Sequence, residues 1–161
     1  MLTGRVQTFL PYPDFLASAE VLDDKRLGKQ RVETLQVMKA LIVPGYGWQH
    51  HPVTAMWRGY RPALMDYQVA TCAVWVGRGH ADTCLEKTEA ALALDPEDAA
   101  RYRAGEIELP PWFGRDDVHL SHRSKLVEKD PEHYAPLFPD TLPGLDYVWP
   151  VSGAEAAAGP S

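Results

Sequence analysis

Five polar side chains share one stripe of the strongest helix signal in this sequence, which covers residues 21–42. At about 100° per residue they fall within roughly 120° of one another; they are Arg26, Lys29, Gln30, Glu33 and Gln36. A single carboxylate among cations and amides can transfer a proton or help to hold an anion. An ordinary solvated helix face with a Lys29–Glu33 pair has the same pattern, so the helix alone leaves both interpretations open.

The opposite side of this helix carries the apolar residues that should face the core, among them Leu27, Leu35 and Met38. The polar stripe is therefore predicted to face solvent. On that basis Glu33→Gln is expected to leave the melting temperature nearly unchanged. Arg31 lies on the apolar side, where an arginine must extend to the surface or find a buried partner.

Two further polar groups could contact a ligand. Residues 48–61 alternate aromatic rings with cationic or titratable groups, a mixture that suits stacking on bases and binding of phosphates. The same residues could instead be core tryptophans and helix-capping histidines. The second group, in residues 119–134, contains His119, His122, Arg123 and Lys129.

Histidines also raise the possibility of a metal-dependent hydrolase, since His50, His51, His119 and His122 could supply imidazole ligands. The sequence contains no HExxH pattern, and adjacent histidines rarely chelate one ion well. It also lacks a nucleophile elbow and a glycine-rich phosphate loop. We therefore expect no metal and no cofactor.

The length of 161 residues is typical of one domain with a substantial core, and 45% of the residues are hydrophobic. Cys72 and Cys84 match neither a disulfide framework nor a zinc pattern and are interpreted as reduced thiols. No signal peptide or 18-residue apolar run is found. We expect a cytoplasmic monomer that does not interact with membranes.

A formal net charge of −6 disfavours nucleic-acid binding. The acidic residues are unevenly distributed, however: residues 82–108 contain eight acids and three bases, whereas residues 1–81 contain six acids and nine bases. A basic surface outside the acidic segment is therefore compatible with the sequence.

Helix signals dominate the chain, and strand signals are few. Asp14 or Ser18 is predicted to cap the first helical region, which ends near Pro44. Further helices are expected at 63–78, 82–94, 95–103, 117–129 and 131–134. We predict a compact, mainly α domain over residues 6–150, with an extended N-terminal lead-in, an extended C-terminal segment, and a disordered tail at 151–161.

Four segments, at 22–36, 45–60, 121–134 and 147–150, resemble the pyrimidine-dimer DNA glycosylase family of the phage endonuclease V type. The resemblance covers about residues 6–150 and is strongest to a bacterial branch distant from the characterised enzymes. The family pattern is L-x-D-x-[HR]-L with a glutamate seven residues after the [HR] position. It is matched here by Leu22, Asp24, Arg26, Leu27 and Glu33.

The resemblance implies that an N-terminal α-amine attacks the sugar C1′ of the damaged nucleotide and forms an imine, assisted by the helix glutamate. An α-amine titrates near ~8, so it retains a useful neutral fraction at pH 7, unlike a lysine at ~10.4. The implied catalytic group is Glu33, with Gln7 and Thr8 of the lead-in. DNA is the implied partner, and its implied contacts are Arg26, Lys29, Gln30, His50, His51, Trp57, Arg58, His119, His122, Arg123 and Lys129.

The chain departs from the family pattern at its start, because the resemblance begins only at Val6. One interpretation is that Val6 represents a GTG start codon translated as methionine. Gln7 would then be a poor substrate for methionine removal, which would leave the amine on the initiator residue. A non-catalytic nucleic-acid or nucleotide-binding module of the same fold is therefore the main alternative to a glycosylase with lyase activity.

Overall fold

Aspartates begin two consecutive helices in the N-terminal part of the protein. The Asp14 carboxylate accepts a hydrogen bond from Ala17 N, and the Asp23 carboxylate accepts one from Arg26 N. A side-chain acceptor at this position satisfies an amide that would otherwise lack a partner in the first turn. The first helical region, for which Asp14 or Ser18 was the predicted cap, is thus two helices, and Asp14 caps the first of them.

The computed structural model describes residues 6–150. Within them the secondary structure is helical, without strands, which confirms the mainly α prediction. The predicted tail at 151–161 and the residues before Val6 lie outside the described part of the chain. The helices are α1 Phe15–Glu20, α2 Asp24–Ile42, α3 Pro52–Trp57, α4 Arg61–Gly77, α5 Cys84–Leu92, α6 Pro96–Arg103, α7 Asp116–Lys129 and α8 Pro131–Tyr134.

The main core lies around α2, α3 and α4. Its largest buried side chains include Trp57, Trp112, Met38 and Leu64, each at most 1% exposed. A second cluster of buried hydrophobic residues, which includes Leu27, packs α2 against the region of α7 and α8. No helix within residues 6–150 combines the length and apolar character needed to cross a membrane.

Arg31 finds the buried partner that its place on the apolar side required. Its guanidinium forms an ion pair with Asp82 and lies over the Trp75 ring, 4.3 Å from the centroid. Gly28 permits this arrangement, because a Cβ atom at that position would lie 2.9 Å from Trp75 Cη2. The segment after α4 is thereby held against α2.

The N-terminal lead-in, residues 6–13 of the described chain, contains no helix, as predicted, but its residues 6–11 are also buried between the helices. Leu10 is fixed by two histidines of α7: its N–H donates to His122 Nδ1 at 2.9 Å, and its carbonyl accepts from His119 Nδ1 at 2.7 Å. The proton lies on His119 Nδ1 because its Nε2 accepts from Gly114 N. Burial lowers the pKa of both rings, that of His122 to about 3, so both are neutral at pH 7.

His119 and His122 were expected to contact DNA, and their burial contradicts that expectation. Their side chains are 1% and 0% exposed, and their bonds hold the lead-in in place. Arg123 of the same helix also contacts the lead-in, since its Nη1 donates to Pro11 O at 2.7 Å. The polar residues of α7 therefore secure the N-terminal segment against the helices.

Candidate functional site

The polar stripe of α2 forms one wall of a pocket of about 210 Å³. The lead-in contributes an aromatic ring to the pocket, and the end of α7 contributes a lysine. Four of the lining side chains are cations, and one is a carboxylate. The lining residues are Phe9, Lys25, Arg26, Lys29, Gln30, Glu33 and Lys129.

The expectation that this whole stripe faces solvent was wrong. Gln30 is 1% exposed and Glu33 is 7% exposed, whereas Lys25 and Lys29 are exposed. The lead-in lies along this side of α2 and is bonded to Gln30, so it covers the part of the stripe that the helix pattern alone assigns to solvent. The cations thus lie at the mouth of the pocket, and the buried Gln30 amide and Glu33 carboxylate lie beneath them.

The Gln30 amide joins the lead-in to the pocket. Its Oε1 accepts from Phe9 N at 2.9 Å and from the Tyr67 hydroxyl at 2.6 Å. Its Nε2 donates to Gln7 O at 2.7 Å and lies 3.5 Å from Glu33 Oε1. Since one nitrogen contacts both oxygens, the backbone at Gln7 and the carboxylate of Glu33 are near neighbours.

Burial dominates the electrostatics of Glu33 and raises the pKa of its carboxyl group from 4.5 to about 7. The positive charges of Lys29 and Lys129 oppose this shift but do not cancel it. A carboxyl group with such a pKa populates both protonation states at neutral pH. It can therefore give or take a proton, which is the property required of a general acid or base.

Arg26 is held at the pocket by residues outside it. Its Nη1 lies 3.1 Å from Asp23 Oδ1, and its guanidinium lies over the Tyr134 ring, 6.0 Å from the centroid. The Tyr134 hydroxyl in turn donates to the Asp23 carboxylate. These contacts hold α8 against the beginning of α2 and restrict the orientation of the Arg26 guanidinium.

Other predicted site residues lie in the interior. The Thr8 hydroxyl accepts from Trp57 Nε1 at 2.9 Å, and both side chains are fully buried. The Gln7 side chain is also buried, and its Oε1 accepts from Thr8 N. The expected roles of Trp57 and Thr8 as groups facing a ligand are not compatible with this burial, whereas the backbone of Gln7 does lie near Glu33.

The predicted contacts in residues 48–61 are placed around α3 and do not line the pocket. His51 caps this helix, since its Nδ1 accepts from Val53 N at 3.0 Å. Arg58 Nη2 donates to Gln49 O at 2.6 Å, and His50 is exposed. The helix-capping alternative therefore describes His51 correctly.

Two lining residues, Lys25 and Phe9, were not among the predicted site residues. Lys25 precedes Lys29 and Glu33 at successive intervals of four, a helical spacing that could have revealed it. Phe9 lies in an extended segment, and nothing in its local pattern indicates proximity to α2. Within residues 6–150, no three His, Cys, Asp or Glu side chains cluster in a way that could hold a metal ion.

The raised pKa of Glu33 predicts that substitution with glutamine stabilises the fold at high pH, which replaces the unchanged melting temperature expected for a residue facing solvent. Because the pKa of Glu33 in the folded state is higher than 4.5, its protonated carboxyl group is favoured by folding. This contribution to the free energy of unfolding is fully present below pH 4.5 and is lost as the pH rises towards 7. Glutamine stays neutral at every pH. The free energy of unfolding of Glu33→Gln should therefore exceed that of the wild type by up to about 3 kcal/mol at pH 8 and equal it at pH 4.

Urea unfolding of both proteins at the two pH values measures this effect. Glu97→Gln, at a carboxylate whose side chain is 84% exposed, is the matched control and should show no such gain. Equal stabilities of wild type and Glu33→Gln at pH 8 would contradict the assigned environment of the carboxylate.

A family model described as pyrimidine dimer DNA glycosylase matches residues 6–88 of the chain. This span includes the lead-in and every lining residue of the pocket except Lys129. Searches of curated proteins and of solved structures give no significant match.

Proposed function

Because the chain belongs to the pyrimidine dimer DNA glycosylase family, we propose that it releases damaged or modified bases from DNA at the pocket on α2. The observation that supports this proposal best is the environment of Glu33. A carboxyl group with a pKa of about 7 lies beneath a cluster of cations and beside the N-terminal lead-in. The pocket thus combines an acid/base group with attraction for a polyanion.

The cations at the mouth of the pocket would bind the DNA backbone. Lys25 and Lys29 are exposed on adjacent turns of α2, and Lys129 faces them from the end of α7. Contacts of this kind position a duplex without reading its sequence. Arg26, held by Asp23 and Tyr134, would fix the phosphate or sugar nearest to Glu33.

Glu33 would act on the sugar of the damaged nucleotide. In its protonated form it can donate a proton as the bond between C1′ and the base breaks, so that the base leaves with the bonding electron pair. If an α-amine attacks C1′ as the base leaves, its nitrogen forms the new bond and loses one proton to the Glu33 carboxylate. The C1′–O4′ bond would then break, with O4′ taking that proton from Glu33, and a protonated imine would remain. A base such as the Glu33 carboxylate would then remove a proton from C2′ of the protonated imine, so that the C3′–O bond breaks and the 3′ phosphate leaves; this β-elimination is the proposed lyase step.

Base release can be tested with duplexes that each carry one lesion, including a cyclobutane pyrimidine dimer and an abasic site. Strand cleavage is measured directly, and base release is measured as breaks that appear after treatment with alkali. We expect turnover of at least one substrate. Tight DNA binding without turnover of any of them would favour the non-catalytic binding module.

DNA binding is expected to depend steeply on salt despite the net negative charge. Contacts with three or four phosphates give a slope of about −3 to −4 for the logarithm of the binding constant against that of the salt concentration. Lys25→Ala and Lys29→Ala should each reduce the magnitude of this slope by about one, because each removes one phosphate contact.

Fluorescence anisotropy with a labelled duplex between about 50 and 200 mM salt measures the slope. Lys87→Ala on α5 removes an exposed lysine that does not line the pocket, and it should leave the slope unchanged. An identical slope for all three variants would place the DNA elsewhere on the surface. Arg123→Ala is less informative than a pocket variant, because Arg123 also holds Pro11.

A further inference from the structure

One face of α4 borders a groove that is separate from the pocket on α2. Residues 66, 69, 70, 73 and 76 follow one another at helical spacing along this face. Two adjacent depressions adjoin each other on α4, where both are lined by Val69 and Ala73, and we call the surface that they form together the groove. Phe15 and Phe113 border it on one side, and Leu85 of α5 borders it on the other.

The rim of this groove exposes large apolar side chains. Leu16 is 51% exposed, Leu109 is 44% exposed and Val76 is 54% exposed. Single exposed apolar residues are common, but here Leu16 and Leu109 line one depression and Val76 lines the other, so apolar side chains are exposed in both parts of the groove. Exposed apolar patches on folded proteins mark sites of interaction with other molecules.

The charges that line the groove are of one sign. Among the described residues, every charged side chain that lines it is a carboxylate, and no lysine or arginine does so. This negative lining disfavours the phosphates of DNA and of anionic lipids. The carboxylates belong to Asp14, Asp66, Asp82, Glu86 and Glu89.

Asp66 differs from the other carboxylates of the groove because it is partly buried without a hydrogen bond or ion pair among the described residues. Asp14 caps α1 and Asp82 pairs with Arg31, whereas Asp66 forms no hydrogen bond or ion pair within residues 6–150. It is partly buried against apolar groups, and this burial raises the pKa of its carboxyl group. A carboxylate in such a place is stabilised by a cation brought from outside.

We propose that this groove binds a helical segment of another protein. The apolar side chains of that segment pack on α4, and its basic side chains lie at the rim of the groove. One lysine or arginine pairs with Asp66, and a second lies near Glu86 or Glu89 at the other end of the groove. The stripe from Asp66 to Val76 is about 15 Å long, which matches about three turns of a bound helix. Apolar anchors in a groove provide affinity, and complementary charge fixes the orientation.

Peptide selection against the full chain tests the proposal directly, because the selection itself reveals which sequences bind. A random library of peptides of about 12 residues is displayed on phage and selected on the immobilised protein, and the recovered peptides are titrated by fluorescence anisotropy. The test variant is Ala73→Arg, which places a long cation in the groove at an exposed helix position. The matched control is Ala90→Arg, an equal change of charge at an exposed position of α5 that does not line the groove.

We expect selected peptides to combine apolar residues at helical spacing with at least two lysines or arginines. Their affinity should fall about tenfold or more in Ala73→Arg, fall less in Asp66→Asn, and stay within about twofold in Ala90→Arg. Both arginine variants should retain the circular dichroism and the DNA binding of the wild type, which separates this proposal from the proposed glycosylase function.

Three results would overturn the proposal. Equal losses in Ala73→Arg and Ala90→Arg would indicate general attraction of cationic peptides to an acidic protein. Selection that yields no peptide sensitive to Ala73→Arg would show that the groove does not bind helical segments. A dimer in light scattering that Ala73→Arg converts to a monomer would identify the occupant as a second copy of this chain.

Discussion

Glu33→Gln is expected to reduce base release by about 10²–10⁴-fold, the usual range for removal of a general acid or base. Glutamine matches the size of glutamate and can keep the contact with Gln30, but it cannot exchange a proton at neutral pH. Because the substitution is also expected to stabilise the fold at pH 8, lost activity would not reflect unfolding. Single-turnover rates with excess enzyme measure the effect on the chemical step.

The pH profile separates a proton-transfer role from a purely structural one. The single-turnover rate of the wild type should change around pH 7, where the Glu33 carboxyl group titrates. The residual rate of Glu33→Gln should lack this transition, while Glu97→Gln should keep the wild-type profile. A Glu33→Gln protein with full activity would remove Glu33 from the mechanism.

A chain shortened to begin at position 6, with methionine in place of Val6, is expected to form a covalent adduct with DNA that borohydride traps. The full chain is expected to form none. In the structure the Gln7 carbonyl and Glu33 contact the same amide nitrogen of Gln30, so an α-amine at position 6 or 7 would lie close to the carboxylate. Five more residues could move the amine by up to about 17 Å.

Gel electrophoresis of the trapped adduct measures this difference, and mass spectrometry of the free protein shows which residue carries the amine. Acetylation of the shortened chain at its α-amine is the matched control and should abolish trapping. Equal trapping by the full and the shortened chain would contradict an α-amine nucleophile and point to a lysine such as Lys25 or Lys29. Circular dichroism of both forms checks that the shortened chain is folded.

The sequence by itself determined much of this protein. Helical periodicity predicted α2 and α7 nearly to their observed ends, because these helices are long and their caps and breakers are clear. It placed Arg26, Lys29, Gln30 and Glu33 on one stripe, and it required a partner for Arg31. The spacing of Leu22, Asp24, Leu27 and Glu33 carried the family resemblance. All of these features depend on residues close together in the chain.

Only the tertiary structure decided which polar residues are accessible. Periodicity within α2 cannot reveal that an extended segment more than twenty residues earlier lies over Gln30 and Glu33. Nor can it show that His122, about a hundred residues later, is buried against that segment. The pKa of Glu33 depends on this cover, because desolvation needs neighbours that are remote in sequence. The type and spacing of the acidic group were local properties, whereas its raised pKa was set by long-range packing.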